Sequence, residues 1–237
     1  MHAMRQRPVL SLAFMAVLGL VAGCSGDSTT TPDSNAEELL VSAKATIDSA
    51  DSAHFTITSA DVPEGGTALV GGEGSAARPG QFVGSLDVSF GGTTATVEVI
   101  STDGTVYAKL PFASAYAVTD PAQFGFGDPG RFMDPEDGVS NLLVKATDAR
   151  LTGTSRIGSE VVQKVEASIP GTVVRDLLVS ADPTKPVDAT FSIVEKSGEL
   201  RRAVVTGPFF DKEAESTFTI VLDRYGEKVD IRAPSTG

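Results

Sequence analysis

The chain has 237 residues, of which 41% are hydrophobic, with a single cysteine, no tryptophan and a formal net charge of −12. Such an acidic chain is a poor candidate for nucleic-acid binding, which depends on Lys and Arg side chains that neutralise phosphates. One cysteine excludes an internal disulfide, so the fold must be stabilised by its hydrophobic core.

The N-terminal segment has the pattern of a secretory signal peptide. Arg5 and Arg7 form a basic lead, and residues 9–22 are apolar apart from Ser11. That run is shorter than the roughly 20 apolar residues that a membrane-spanning helix needs. We therefore expect residues 1–23 to be a cleaved signal peptide.

The end of this segment, Val21-Ala22-Gly23-Cys24, has the residue order of a bacterial lipobox. In a lipobox the thiol accepts a diacylglyceryl group, and cleavage leaves the acylated cysteine as the new N-terminus. Two acyl chains, at about 0.8 kcal/mol per buried methylene, give stable membrane attachment. We expect Cys24 to be a lipid anchor; the alternative is a secreted protein with one free thiol. Cleavage would remove two arginines and no acidic residue, which makes the net charge −14.

The chain after the anchor changes from tether to domain. Residues 25–35 (SGDSTTTPDSN) contain no apolar residue, so residues 24–35 are predicted to be a flexible, lipidated tether and residues 36–237 the domain. Apolar residues then recur at helical spacing, which predicts an amphipathic helix of about four turns capped by Ser34 or Asn35. That stripe consists of Ala36, Leu39, Leu40, Ala43 and Ile47.

The hydrophobic period then becomes two, which predicts strands. The predicted strands are 54–60, 86–90, 93–101, 105–110, 151–157, 161–169, 189–195, 200–207, 216–222 and 228–232. Gly91-Gly92 and Asp103-Gly104 are predicted hairpin turns. The first turn would place Leu86, Val88 and Phe90 on one face with Ala95, Val97 and Val99.

Two further helices are predicted among the strands. Asp134-Pro135 has the residues of a helix start, and an apolar stripe at helical spacing follows it. That stripe is Val139, Leu142, Leu143 and Ala146. A short third helix is predicted at 172–180. Strands joined by short turns, with few helices, indicate an α+β fold with one large antiparallel sheet that must curl.

Side chains for catalysis or metal binding are scarce. His54 is the one histidine that remains after cleavage, and the chain has no G-x-S-x-G motif. Gly71 to Ser75 (GGEGS) lacks the lysine of a phosphate loop and is better explained as a glycine-rich strand or bulge. Asp134, Glu136 and Asp137 lack the pattern of a calcium loop. We expect no catalytic residue, metal or cofactor.

Several segments together carry a family resemblance: the lipobox, the polar tether, SAHFTIT at 52–58, STDGTVYAKL at 101–110, DPEDGVSNLL at 134–143 and YGEKVDIRAP at 225–234. In this order they resemble the mycobacterial lipoprotein family that includes LppX, LprA, LprF and LprG, with the likeness greatest to the LprG branch. The resemblance covers essentially the whole chain after the signal peptide.

The resemblance implies a strongly bent antiparallel half-barrel with helices on its concave side, similar to the periplasmic lipoprotein-carrier fold. Between sheet and helices we expect an apolar cavity for acyl chains of envelope lipids, such as a triacylated glycolipid or triacylglycerol. The protein would be exported, anchored through Cys24 to the outer face of the cell membrane, and able to pass cargo to an envelope transporter. It would not be an enzyme.

The expected cavity lining comes from the apolar stripes of the predicted elements. The candidates are Leu40, Ala43, Ile47, Leu86, Val88, Phe90, Val97, Val99, Leu142, Leu143 and Ala146. Periodicity does not distinguish a cavity wall from ordinary packed core, so each residue has both interpretations. The alternative function is a surface-displayed protein-docking module with a filled core and no lipid cargo. An esterase that uses His54 as its base is a third and weaker hypothesis.

Overall fold

The structure is a computed structural model, which describes residues 33–63, 67–124 and 126–237. The predicted signal peptide, the lipobox with Cys24 and the tether up to Pro32 lie outside the described residues. The organisation predicted for that part of the chain therefore stays a prediction.

Within the described residues, eleven strands form one antiparallel sheet in the order β6-β5-β4-β3-β2-β1-β11-β10-β9-β8-β7. The strands are β1 (Ser52–Ala60), β2 (Thr67–Ala77), β3 (Gln81–Phe90), β4 (Thr93–Thr102), β5 (Thr105–Lys109), β6 (Ala117–Val118), β7 (Thr147–Ile157), β8 (Glu160–Ile169), β9 (Val187–Val194), β10 (Leu200–Gly207) and β11 (Ser216–Asp223). The sheet is thus two meanders, β1–β6 and β7–β11, joined where β1 pairs with β11.

The hairpin between β3 and β4 forms as the sequence predicts. Gly91 and Gly92 have φ angles of 54° and 83°, the positive values that a tight turn requires and that glycine adopts without strain. The resulting register pairs Leu86 with Val97 and Val88 with Ala95, which confirms that these residues share one face.

Three α-helices accompany the sheet: α1 (Ser34–Ser49), α2 (Val139–Lys145) and α3 (Gly171–Leu177). Two 3-10 helices, Pro121–Phe124 and Pro129–Met133, lie before α2. Helix α1 buries the predicted stripe except Leu39, which is partly buried. Its cap is Asp33 rather than Ser34 or Asn35, because the Asp33 carboxylate accepts the Asn35 N–H at 3.0 Å and the helix begins earlier.

Helix α2 begins later than predicted. The N–H groups of Glu136 and Asp137 both donate to the Asp134 carboxylate, at 2.8 and 3.0 Å, so the helix-start signal at Asp134-Pro135 forms a separate turn. Gly138 follows and caps the helix. Ala146 is the residue after its end, so the predicted fourth member of the stripe stands outside the helix. Helix α3 was predicted at 172–180; it begins one residue earlier, at Gly171, and ends at Leu177, because the backbone of Leu178 is extended.

The strand predictions were wrong at two places. Residues 228–232, which are all described, pair with no strand. Side chains hold this segment instead: the Ser52 hydroxyl donates to the Glu227 carbonyl, and the Gln81 amide donates to the Ile231 carbonyl at 3.4 Å. Strand β6 was not predicted, and of β2 only the glycine-rich residues 71–75 were interpreted as a strand or bulge. The glycine-rich part of β2 carries a bulge between Leu69 and Gly71, which agrees with the strand-or-bulge interpretation.

Two glycines face each other across the β2–β3 pair. Gly74 of β2 pairs with Gly84 of β3, and a Cβ atom on Gly84 would lie 2.3 Å from the Glu73 carbonyl and 2.7 Å from the Gly74 Cα. Side chains therefore cannot be accommodated here, and the two backbones approach closely. The Phe82 ring covers both glycines on the inner face. Phe82 belongs to the hydrophobic core on the concave side of the half-barrel.

The helices lie on that concave side, and a polar cluster joins two of them to the sheet. The Lys44 ammonium of α1 lies 2.8 Å from the Asp48 carboxylate and donates to the Pro135 carbonyl at 2.6 Å. The Ser140 hydroxyl of α2 donates to Asp48 at 2.7 Å. The Arg78 guanidinium, in the turn after β2, lies 3.7 Å from the same carboxylate. Asp48 thus ties α1, α2 and the sheet together.

Candidate functional site

An open cleft of about 420 Å³ lies between the concave side of the sheet and the helices. Its walls come from β1, β2, β3, β10, β11, the segment 126–132, α2 and α3. The apolar lining residues are Phe55, Ile57, Leu69, Leu86, Phe126, Phe132, Val139, Leu142, Val174, Leu177, Leu178, Val205, Phe209, Phe218 and Ile220. We call this space the apolar cleft.

The curvature of the sheet creates the apolar cleft. Leu86 of β3 and Val205 of β10 both line it, although four strand spacings, about 19 Å in a flat sheet, separate these strands. Inward-facing side chains continue across the seam between the two meanders, where Ile57 of β1 pairs with Ile220 of β11. Side chains from both halves of the molecule therefore surround one volume.

Two stacked aromatic rings, Phe55 and Phe132, line the apolar cleft, and Phe82 stacks behind Phe55 without lining it. The rings of Phe82, Phe55 and Phe132 stack in sequence, with centroid distances of 5.4 Å and 4.5 Å. Phe55 faces Gly74 across the β1–β2 pair, so the absence of a side chain on Gly74 leaves room for the stack. Offset-stacked rings at these distances stabilise each other and give a rigid apolar wall.

Charged residues stand at the rim. Asp128, Arg131, Asp137 and Asp176 border the apolar cleft, and the Arg131 guanidinium forms an ion pair with Asp137. Asp128 is held in place because its carboxylate accepts the Ser101 hydroxyl at 2.6 Å and the Gly130 N–H at 2.8 Å. The opening thus presents three carboxylates and one guanidinium around an apolar interior.

Two aromatic side chains close off the neighbouring part of the sheet. Phe124 and Phe126, with ring centroids 6.1 Å apart, cover the inner face of β3, β4 and β5. Beneath them only about 10 Å³ remains, about the least that one water molecule requires. Phe126 and Leu86 line both this void and the apolar cleft, so they form the wall that separates the two.

Five of the eleven predicted lining residues lie on the apolar cleft or on the small void beside it. Leu86 and Leu142 lie on the apolar cleft. Val88, Val97 and Val99 lie against the small void under Phe124 and Phe126.

The other predicted lining residues lie away from both spaces. Leu40, Ala43, Ile47 and Leu143 are buried in the packed core beneath the helices, and Ala146 is partly buried against it. Phe90 is 41% exposed at the end of β3, where its ring contacts Phe124 edge-on.

Much of the cleft wall comes from residues that the sequence did not single out. The β10–β11 side contributes Val205, Phe209, Phe218 and Ile220, from strands whose alternation was visible in the sequence. Residues 126–132 contribute Phe126 and Phe132 from irregular chain, where no periodicity marks a buried side.

His54 lies in β1, and its Nδ1 is 2.8 Å from the Asp223 carboxylate of β11. It lies on no described wall of the apolar cleft. Among the described residues, no group of three or more His, Cys, Asp and Glu side chains is placed to hold a metal ion. No helix in the described part of the chain is long and apolar enough to span a membrane.

Sequence and structure comparisons identify relatives along nearly the whole chain. The chain is 25% identical over 238 residues to the lipoarabinomannan carrier protein LprG of Mycobacterium tuberculosis H37Rv, covering 96% of this chain and 95% of the relative. It is 23% identical over 224 residues to the protein of the same name from Mycolicibacterium smegmatis, covering 91% of each.

Two solved structures share the fold. LprF from Mycobacterium bovis superposes with a TM-score of 0.71 at 20% identity, covering 87% of this chain and all of LprF. LppX from Mycobacterium tuberculosis gives a TM-score of 0.62 at 15% identity, covering 84% of this chain and all of LppX. These likenesses confirm the predicted fold class.

A family model fits the chain over most of its length, from residue 35 to residue 231, which includes every strand and all but the first residue of α1. The predicted resemblance is thereby confirmed, and the chain belongs to the LppX_LprAFG lipoprotein family.

Proposed function

We propose that the protein is a membrane-anchored lipid carrier that holds an acyl chain in the apolar cleft and moves acylated lipids within the cell envelope. The observation that carries the proposal is the apolar cleft itself, an open apolar space in a domain of lipoprotein-family fold. The names of the LprG relatives, which describe carriers of a lipidated glycan, support it.

The volume of the apolar cleft sets the cargo. A dry protein cavity of about 150 Å³ binds one benzene ring of six carbons. By proportion the cleft, at about 420 Å³, accommodates about 17 carbons, the size of one long acyl chain. A triacylated glycolipid or triacylglycerol therefore binds with one chain in the cleft, unless Phe124 and Phe126 are displaced from the β3–β5 face.

The energetics favour exchange rather than permanent capture. Each methylene buried from water contributes about 0.8 kcal/mol, so a free acyl chain does not leave the cleft into water. A bilayer interior offers the same apolar surroundings, which makes transfer between cleft and membrane nearly neutral. Passive exchange of this kind needs no catalytic group, and supply and removal of cargo set the direction of transport.

The rim indicates the chemistry of the head group. Three carboxylates against one guanidinium disfavour a phosphate at the opening by like-charge repulsion. Hydroxyl groups of a sugar can instead donate to Asp128, Asp137 or Asp176. We therefore propose glycolipids with neutral, hydroxyl-rich head groups as the preferred cargo.

Export and anchoring through Cys24 belong to the same proposal. Acylated Cys24 would hold the domain at the outer face of the cell membrane, where lipid cargo originates, and an envelope transporter would deliver or receive it. Cys24→Ala is expected to release the protein from the membrane fraction. Retention of this variant in membranes by globomycin-sensitive processing would overturn the anchor assignment.

Native mass spectrometry with lipid extraction tests the carrier function directly. The full-length protein, produced in a mycobacterial host, should carry discrete added masses that extract as acylated lipids. Leu142→Trp, which fills the cleft, should lose them, while Leu143→Met in the packed core should keep them. A wild-type protein with no bound lipid would instead favour the docking-module alternative.

A further inference from the structure

Exposed apolar side chains gather at one end of the sheet. The register places the end of β3 opposite the start of β4, and Lys109 at the end of β5 opposite Glu98 of β4. The registers of the other strand pairs show which strand ends lie at this same end of the sheet. They include the end of β1, the start of β11 and the start of β7. We call this end of the sheet the tether end, because the tether joins the domain here.

The chain from the predicted anchor enters the domain at this end. The Asp33 N–H donates to the Ala149 carbonyl at 3.2 Å, close to the start of β7, and α1 begins at the next residue. Cys24 precedes Asp33 by nine residues. Nine residues extend at most about 30 Å, roughly the length of one strand of this sheet. An anchor at Cys24 therefore keeps the tether end near the membrane.

The loop between β5 and β6 carries the most exposed apolar residues at this end. Phe112 is fully exposed, at 107%, and Leu110 is 50% exposed. Residues 110–119 (LPFASAYAVT) contain no charged side chain, in a chain of net charge −12. Phe90, at 41% exposure, ends the neighbouring hairpin strand. An uncharged loop with a fully exposed phenylalanine is a candidate interaction site.

The loop is held in an outward conformation. Phe112 has a φ of 69°, which a bulky residue rarely adopts, and the Ala113 N–H closes the turn on the Leu110 carbonyl at 3.0 Å. At its base the Tyr116 hydroxyl donates to Glu98 at 2.7 Å, and the Lys109 ammonium lies 3.2 Å from the same carboxylate. Glu98 and Lys109 thus offset each other's charge, and residues 236–237 lie against the base of the loop at Ala115 and Tyr116, away from Phe112.

We propose that the loop of residues 110–118 inserts Phe112 and Leu110 into the lipid bilayer and orients the domain on the membrane surface. The inference rests on the proposed function in one respect, the anchor at Cys24. A bilayer fits better than a protein partner, because the loop is an uncharged apolar turn rather than a groove, and it lies toward the same end of the sheet as the start of α1, although β5 and β7 stand near opposite edges. Insertion is expected to be insensitive to salt, since no charge drives it.

A single fluorescent label tests the proposal. In the acylated full-length protein, Phe112→Cys supplies the one free thiol, because the native chain has one cysteine and acylation occupies it. Ser197→Cys, in the exposed turn between β9 and β10 at the opposite end of the sheet, is the matched control. Both are labelled with an environment-sensitive dye and reconstituted in phosphatidylcholine vesicles.

We expect the label at residue 112 to shift to shorter emission wavelength, to lose quenching by aqueous iodide and to be quenched by spin-labelled lipid. The label at residue 197 should behave as in water. Equal iodide quenching at both sites would overturn the proposal, as would shielding of residue 112 that requires another membrane protein. Cosedimentation with vesicles reports the anchor and native mass spectrometry the cargo, so a failure of either is distinguishable from a failure of the loop.

A second variant tests whether the aromatic ring drives insertion. With the label on Leu110→Cys, adding Phe112→Asp should abolish the emission shift, because a carboxylate at the tip cannot enter the bilayer core. Bound cargo should be unchanged, since Phe112 lies on no wall of the apolar cleft. Persistence of the shift in the double variant would contradict the assignment of Phe112.

Discussion

Replacing Phe126 by alanine is expected to enlarge the apolar cleft and lengthen the acyl chain that it accepts. Phe126 is 8% exposed and separates the cleft from the void under the aromatic pair. Removing its ring frees the volume of about one benzene molecule, or about six carbons. The preferred chain length should rise by up to about that amount.

The same change destabilises the domain without cargo. Truncating a buried phenylalanine to alanine costs about 3 kcal/mol or more, and for a domain of this size each kcal/mol lowers Tm by about 2–4 °C. A lipid whose chain fills the new space should restore part of the loss, because each methylene that enters from water contributes about 0.8 kcal/mol.

The assay is native mass spectrometry against a series of glycolipids that differ only in acyl length, together with thermal unfolding with and without each lipid. Phe191→Ala is the matched control, since Phe191 is equally buried in the inner face of β9 but does not line the cleft. It should lower Tm with no change in chain-length preference. The reasoning is refuted if Phe126→Ala and Phe191→Ala keep the same preference as the wild type.

Three further predictions concern the cleft and the stability of the domain. Leu86→Trp should reduce lipid uptake while the protein stays folded, measured by extracted lipid and circular dichroism; uptake equal to wild type would remove Leu86 from the lining. Asp48→Asn should lower the free energy of unfolding by about 1–3 kcal/mol, because it weakens the cluster that joins α1, α2 and the sheet, and an unchanged urea midpoint would contradict that role. Burial raises the pKa of the Tyr225 hydroxyl, which donates to the Leu200 carbonyl at 2.7 Å. Because the neutral form is favoured in the folded state, stability should fall as pH rises above about 10, the usual tyrosine pKa, and Tyr225→Phe should make that fall shallower in alkaline unfolding experiments.

Features set by local interactions could be predicted from the sequence. Gly91-Gly92 specifies a tight turn by itself, and the register of Leu86 with Val97 follows from that turn. The stripe on α1 likewise predicts which of its sides is buried. In each case the residues that decide the structure lie within a few positions of one another.

Features set by distant contacts could not be predicted. One local signal also misled the prediction: Asp134-Pro135 has the residues of a helix start, but it forms a separate turn, and α2 begins only after Gly138. Residues 228–232 alternate as a strand does, but the Gln81 side chain binds the Ile231 carbonyl, and the Ser52 hydroxyl binds Glu227 just before the segment. Pairing of β1 with β11 depends on residues at opposite ends of the domain.

Only part of the candidate site could be predicted from the sequence, and the reason is geometric. Leu40 and Leu142 belong to equally regular helical stripes, but Leu40 is packed in the core and Leu142 borders the cleft. The difference is what lies beside each helix: this side of α1 packs against the core, whereas α2 borders the open space in front of Phe55 and Phe132. Hydrophobic periodicity records which side of an element is buried, not what occupies the space beside it.

The seam between β1 and β11 has a consequence for how the exported chain folds. Its residues lie far apart in sequence; His54 and Asp223, for example, are separated by 169 positions. Each meander can form from neighbouring strands, whereas the seam requires nearly the whole chain, and such non-local pairing is slow. We expect the half-barrel to close last, after the final strand has crossed the membrane, so that the chain remains loosely folded while it passes through the export channel.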